Sequence, residues 1–117
     1  MIRQFEDLNV WKESVQLSVQ IYNILKNCKD YSLRDQMQRS AVSIASNIAE
    51  GFERTNKEFV HFLLISKGSC AELRTQFYIS KEIGLISTSE CEELIEKTRK
   101  ISAMLNKLIT TRKNDFK

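Results

Sequence analysis

The sequence predicts an all-α fold, an antiparallel up-down four-helix bundle, and three features carry that prediction. Apolar residues recur every three to four positions along most of the 117 residues, and strand-like alternation never lasts more than a few. Helix-start signals appear three times, as Ser32 with Asp35, Thr55 with Glu58 and Ser87 with Glu90, each a hydroxyl three residues before an acid. Proline is absent, and Gly51 and Gly84 stand where helix ends favour a residue that tolerates positive φ. These marks divide a single domain, residues 1–117, into helices near 8–28, 33–50, 56–83 and 88–112. The links are short, so sequence neighbours should run antiparallel.

The first helix carries two adjacent apolar stripes: Trp11, Val15, Ser18, Tyr22 and Leu25, and beside them Val10, Leu17, Ile21, Ile24 and Cys28. The second groups Leu33, Met37, Ile44 and Ile48 as a core stripe. Next to it Ala41, Ala45 and Ala49 recur at steps of four, flanked by Val42. Axis separation depends on the side chains at the contact, so this ridge predicts a close crossing, with a partner in the same chain or in another copy.

The third helix turns Phe59, Phe62, Leu63, Ser66, Cys70, Leu73 and Phe77 inward. Its opposite side, which should be polar in a monomer, carries Val60, Leu64, Ile65, Gly68, Ala71, Tyr78 and Ile79. A helix apolar nearly all round must be covered nearly all round, and monomers rarely leave such a patch wet. Either that face meets the first helix or it meets another subunit. The expectation is a homo-oligomer whose contact uses Val60, Leu64, Gly68, Ala71 and Tyr78 with the ridge of Ala41, Ala45 and Ala49. Gly68 costs about 1 kcal/mol against alanine inside a helix, which a close backbone crossing would explain. The fourth helix shows one inward arc, Cys91, Leu94, Ile95, Thr98, Ile101, Leu105, Leu108 and Ile109.

Several stretches of the chain resemble one family. Arg39-Ser-Ala-Val-Ser-Ile-Ala-Ser-Asn-Ile-Ala-Glu-Gly51 resembles the signature of the four-helix bundle proteins encoded in 23S rRNA intervening sequences. Phe5-Glu-Asp-Leu-Asn-Val-Trp11, Gly68-Ser-Cys-Ala-Glu-Leu73 with Thr75, and Ile86-Ser87 match the same family, so the likeness spans about residues 5–112. The resemblance implies a homopentameric ring around a central channel. It extends to the accessory variability protein of diversity-generating retroelements, a pentameric barrel that binds nucleic acid and a reverse transcriptase. Relatives often carry proline where this chain has Ala45; alanine restores the backbone donor and removes a cause of kinking.

Composition narrows the function classes. With 28% charged and 42% apolar residues the chain reads as a soluble globular protein, and its net charge of +3 permits nucleic-acid contact without demanding it. The longest apolar run, Phe62–Ile65, is far too short to span a bilayer. The opening MIRQFEDLNVW lacks the apolar stretch of a signal peptide, so a cytoplasmic location and no membrane partner are expected. Cys28, Cys70 and Cys91 are isolated and read as small buried thiols. Glu58-Phe-Val-His61 is one Glu-x-x-His pair, but bundle di-iron chemistry needs two and His61 is the only histidine. Glu58 serves better as a helix cap. No phosphate loop or nucleophilic set is present, and the expectation is a non-enzyme without cofactor or metal.

Two polar features remain. Gln36, Ser40, Ser43, Asn47 and Glu50 form a stripe on the second helix with Arg39 alongside. It either lines a groove or satisfies itself internally, for example through Arg39 with Glu50 or Glu72. The fourth helix opens with Glu90, Glu92, Glu93 and Glu96, whereas Lys97, Arg99, Lys100, Lys107, Arg112, Lys113 and Lys117 face one acid, Asp115. The helix dipole accounts for that polarity but not for the excess of cations. Repeated around a ring, Lys97, Arg99, Lys100, Lys107, Arg112 and Lys113 with Arg39 could form a basic collar for RNA or DNA.

Overall fold

The computed structural model describes residues 1–115 and contains four long helices: α1 (Asn9–Ile24), α2 (Tyr31–Phe52), α3 (Asn56–Glu82) and α4 (Thr88–Asn114). A single 3-10 turn, Phe5–Asp7, precedes them, and no strand occurs among the described residues. Each helix packs on its sequence neighbour and α4 returns to α1, which closes an up-down bundle 48 × 22 × 19 Å. Helices α1 and α3 therefore occupy opposite corners, with no pair of their Cα atoms within 8 Å.

Local chemistry sets the ends. Asp30 caps α2 by accepting the Leu33 amide at 3.1 Å, so that helix begins two residues earlier than the Ser32 signal predicts. Ser32 instead accepts from the Gln36 amide on the next turn. Thr55 accepts the Glu58 amide at 3.3 Å, while the Glu58 carboxylate closes on the Thr55 hydroxyl rather than on its backbone. The third box is complete: Ser87 accepts from the Glu90 amide and Glu90 accepts from the Ser87 amide at 2.8 Å. No side chain caps α1. Before it, Asp7 accepts the Arg3 and Gln4 amides, and these backbone donors, that of Arg3 foremost, hold its carboxyl below the ordinary value.

Helix α1 ends at Ile24, short of the expected residue 28, because the backbone tightens into turns through Asn23 and Leu25. Leu25 and Cys28 stay buried beyond the helix end. Gly84, at φ +77°, fulfils the role expected of a helix terminator. Gly51 does not. It lies inside α2, which runs on to Phe52, and its missing Cβ is a matter of clearance, since a Cβ there would stand 2.5 Å from Phe62 Cβ. Alanine at position 45 leaves α2 one unbroken helix.

The core is the expected one: Leu17, Ile21, Met37, Ile44, Ile48, Phe59, Leu63, Leu73, Phe77, Leu94, Ile101 and Leu105 are fully or almost fully buried. Buried hydroxyls are satisfied at short range. Ser14, Ser80 and Thr98 each donate to the carbonyl one turn back, at 2.7 Å. Ser66 differs, donating across the bundle to the Ile44 carbonyl at 2.9 Å, which only a close approach of α2 and α3 permits. Among the described residues no helix is long and apolar enough to cross a membrane.

Candidate interaction surfaces

The middle of the polar stripe of α2 faces α3 and is engaged there, while Gln36 and Glu50 at its two ends stay exposed. Ser40 donates to the Glu72 carboxylate at 2.6 Å, the hydroxyls of Ser43 and Ser69 meet at 3.0 Å, and Asn47 donates to the Ser43 carbonyl and hydroxyl. Small polar side chains bring two helices close and pair with each other there. The stripe is a seam, not an open groove. The pairing considered for Arg39 does not form: Glu72 goes to Ser40, Glu50 lies 3.6 Å from Arg54, and Arg39 stays exposed.

The basic residues expected to act together are divided. Lys97 donates to Gln20 at 2.7 Å and pairs with Glu93, and Lys100 pairs with Glu13 at 3.2 Å, so both fasten α4 to α1. Arg112 is half-buried. Its guanidinium lies over Phe59 at 5.2 Å and donates to Asn56, which clasps the end of α4 to the start of α3. Arg39, Arg99, Lys107 and Lys113 are exposed and have no ion-pair partner among the described residues. Lys117 lies outside the described residues.

Among the described residues the broadest apolar faces lie on α3 and on the α1–α2 side. On α3, Leu64, Ile65, Tyr78 and Ile79 are each about half-exposed, at 47%, 40%, 45% and 46%, with Gly68 and Ala71 between them. A Cβ on Gly68 would meet nothing within 4 Å, so no crossing inside the subunit requires this glycine. The second face is a groove of about 580 Å³ between α1 and α2, walled by Trp11, Val15, Val19, Tyr22 and Val42 and floored by Ala45 and Ala49. Phe5 closes one end, its ring edge-on to Trp11 at 5.3 Å.

This placement corrects the expected contact set. Ala41 is wholly buried and Val60 joins the core one turn after Asn56, where Arg112 fastens α4 to α3; neither offers surface to another subunit. Ala45 and Ala49 look into the groove beside α1. Leu64, Gly68, Ala71 and Tyr78 are exposed. The α1 wall was legible only as a second apolar stripe beside the core stripe, and Val19, four residues after Val15 and three before Tyr22, extends the edge of that stripe.

All three cysteines are free and buried. Burial pushes the Cys70 thiol from its ordinary 9.0 up to about 11, against a smaller opposing pull from the Arg74 charge. Glu58 is held at the α3 cap, His61 is exposed, and among the described residues no three His, Cys, Asp or Glu side chains gather as a metal-ligand set.

Fold and surface together define a class: an up-down four-helix bundle with its polar seam closed inward and apolar faces turned outward. Within that class the chain belongs to the 23S rRNA-intervening sequence protein family, whose model matches residues 6–107. Its fold is similar to the crystal structure of a protein with unknown function from the S23 ribosomal protein family of Bacteroides thetaiotaomicron. The two share 22% identity and a TM-score of 0.80, over 86% of this chain and 97% of that one. No curated protein matches the chain.

Proposed function

We propose that the chain is a non-enzymatic building block of a homo-oligomeric helical scaffold, and that the assembled scaffold meets RNA or DNA through cations on its surface. The exposed apolar face of α3 carries the reading. Leu64, Ile65, Tyr78 and Ile79 repeat along one side of a helix whose other side already fills the core, and a second copy is the cover always at hand. Five subunits in a ring is the number the family resemblance implies.

The nucleic-acid part is supported by Arg39, Arg99, Lys107 and Lys113, exposed cations with no acid partner among the described residues. They lie on two helices, so one subunit offers few phosphate contacts and an assembly multiplies them. Binding of that kind tolerates sequence and weakens steeply with salt, on the order of 10³-fold between 50 and 200 mM for six phosphate contacts. Filter binding of single- and double-stranded RNA and DNA across that range tests it. The triple variant Arg39→Glu, Lys107→Glu, Lys113→Glu should abolish retention while light scattering still reports the wild-type mass. Arg112 is left intact, because its replacement would disturb the α3–α4 clasp.

A second reading, an oligomer that binds protein and has no nucleic-acid role, draws on the internal engagement of Lys97, Lys100 and Arg112. Absence of retention at 50 mM salt with an intact oligomer selects it.

A further inference from the structure

We infer that the seam between α3 and α4 holds a phosphate-class oxyanion, gripped by Arg74 of α3 and Arg99 of α4 with Lys67 beside them. A free phosphate and a phosphate of a nucleic-acid backbone share that chemistry, and only the second source rests on the reading above.

Helical register brings these side chains together. A seven-residue step keeps positions on one side of a packed helix. Lys81 lines a cleft of about 350 Å³ between α3 and α4, and Arg74 and Lys67 precede it by one and two such steps. Arg99 enters the same cleft from α4, beside Tyr78 and Lys81. Tyr78 follows Arg74 by one helical turn, so the two arginines stand across the seam from each other. Asn106 and Lys113 follow Arg99 by one and two steps, and continue the α4 side with a neutral donor and another cation.

Positions that flank the core of two packed helices ordinarily set acids against bases. Here both sides are cationic. From Lys97 to Asn114, α4 has no acid. Between Lys57 and Arg74, α3 has Glu58 and Glu72, and neither serves the seam. Glu58 is held at the α3 cap and by Arg54, and Glu72 accepts from Ser40 on the α2 side. Glu92 and Glu96 line the cleft towards Thr88, on the other side of Arg99 from Lys67. They bound the site at that end, and among the described residues neither forms an ion pair with Arg99.

Arg74 itself supplies an independent observation. Its side chain is only partly exposed, its Nη1 is shut off from solvent, and no acceptor reaches that nitrogen among the described residues. A buried donor without an acceptor is unfavourable. Held this way across from a second arginine, Arg74 gains from an anion that enters the seam. Turning towards it gives Nη1 an acceptor and relieves the repulsion between the two guanidinium groups. The paired N–H donors of arginine match phosphate oxygens in geometry as well as in charge.

Changing the anion tests this. Thermal unfolding of the wild type and of Arg74→Gln is compared in sodium phosphate and in sodium chloride, at one pH and matched ionic strength. In chloride the variant should melt no lower than the wild type, because it loses an unpaired donor and a like charge. In phosphate the order should reverse. At tenfold excess over its dissociation constant, the anion lifts the wild-type Tm by roughly 4–8 °C beyond any rise in the variant. General salting effects of phosphate move both chains alike and cancel in the comparison. Arg99→Gln should behave in the same way; circular dichroism verifies that each chain folds, and Arg99→Gln carries the test should Arg74→Gln not fold. The inference is overturned if the gap between wild type and variant is the same in both salts, which is the result for a purely structural arginine. A short DNA duplex then separates the sources. If the log–log salt slope of its filter retention falls by about two in the Arg74→Gln, Arg99→Gln double variant, the anion is a backbone phosphate. An unchanged slope with the reversal intact assigns free phosphate. A wild type that retains no nucleic acid removes the earlier reading and leaves the phosphate site in place.

Discussion

Replacing Gly51 by alanine should destabilise the bundle even though alanine is the better helix former. The new methyl carbon would stand 2.5 Å from Phe62 Cβ, 3.0 Å from Phe59 Cδ1 and 3.2 Å from Phe62 Cγ, where ordinary carbon contacts need about 3.5–4.0 Å. Phe62 Cβ is bonded directly to the α3 backbone, so a rotamer change cannot relieve the clash; α2 and α3 must separate by about an ångström. Their seam of Ser66 to the Ile44 carbonyl and Ser43 to Ser69 would stretch with them. Overpacking of this kind costs about 1–3 kcal/mol. The opposing gain in helix propensity is at most about 1 kcal/mol, and less here because Gly51 is next to last in α2. The net loss is about 1–2 kcal/mol, or a fall in Tm of roughly 3–12 °C for a domain of this size. Thermal unfolding followed at 222 nm, at one fixed protein concentration, measures it. If Gly51→Ala melts at or above the wild type, the clearance argument is wrong.

Gly68→Ala makes the same chemical change where a Cβ meets nothing, so in dilute, dissociated protein it should raise stability by about 0.5–1 kcal/mol in the same thermal assay. Arg112→Ala should cost about 1–2 kcal/mol by urea titration, the sum of a lost guanidinium–ring contact and a hydrogen bond to Asn56. Arg112→Lys should recover little of it, since a point ammonium cannot both stack and donate in that geometry. Asp30→Ala should cost about 1 kcal/mol by leaving the Leu33 amide uncapped, also read by urea titration. Cys70 makes stability fall in alkali. The unfolded thiol ionises near its ordinary 9.0 while the folded one keeps its proton to about 11, so the unfolded state binds fewer protons between them. The contribution is whole below pH 9 and is lost as pH rises towards 11, by up to roughly 2–3 kcal/mol. Cys70→Ala should flatten that slope in unfolding measured from pH 8 to 11.

The helices were legible because their signals are local. Ser87 and Glu90 sit three apart and bond reciprocally, and the large inward residues of α2 and α4 keep helical spacing. The Ser32 signal misled because Asp30, two residues earlier, offers the stronger capping group, and a hydroxyl three residues before an acid occurs readily inside a helix. Gly51 was misread for a related reason: a glycine near a helix end looks like a terminator unless one knows which aromatic crosses it, and Phe62 arrives from another helix. Periodicity distinguished inside from outside on α3 at Leu64 and Tyr78 but not at Val60, which is buried with the core. The charges were least legible. Whether a lysine is free depends on what stands across from it, and nothing in the spacing of Lys97 and Lys100 reveals Gln20 and Glu13.

The small residues of α2 bear on assembly in a way that their number alone does not reveal. A run of alanine, serine and asparagine looks like a prepared surface for another subunit, yet most of it is spent within the chain. Ser40 and Ser43 close the seam with α3, Asn47 bonds back to Ser43 within α2, and Ala41 is wholly buried. Helix α3 packs on α2 and α4 and stands diagonally across from α1, so a wide apolar sector of it stays uncovered. Ala45 and Ala49 look instead toward α1, and their short side chains leave the groove hollow. A substitution that restores bulk at Ala49, such as Ala49→Leu, should fill the hollow from within and leave the seam and the subunit's own fold in place, read as an unchanged helical circular dichroism spectrum and a Tm no lower than that of the wild type.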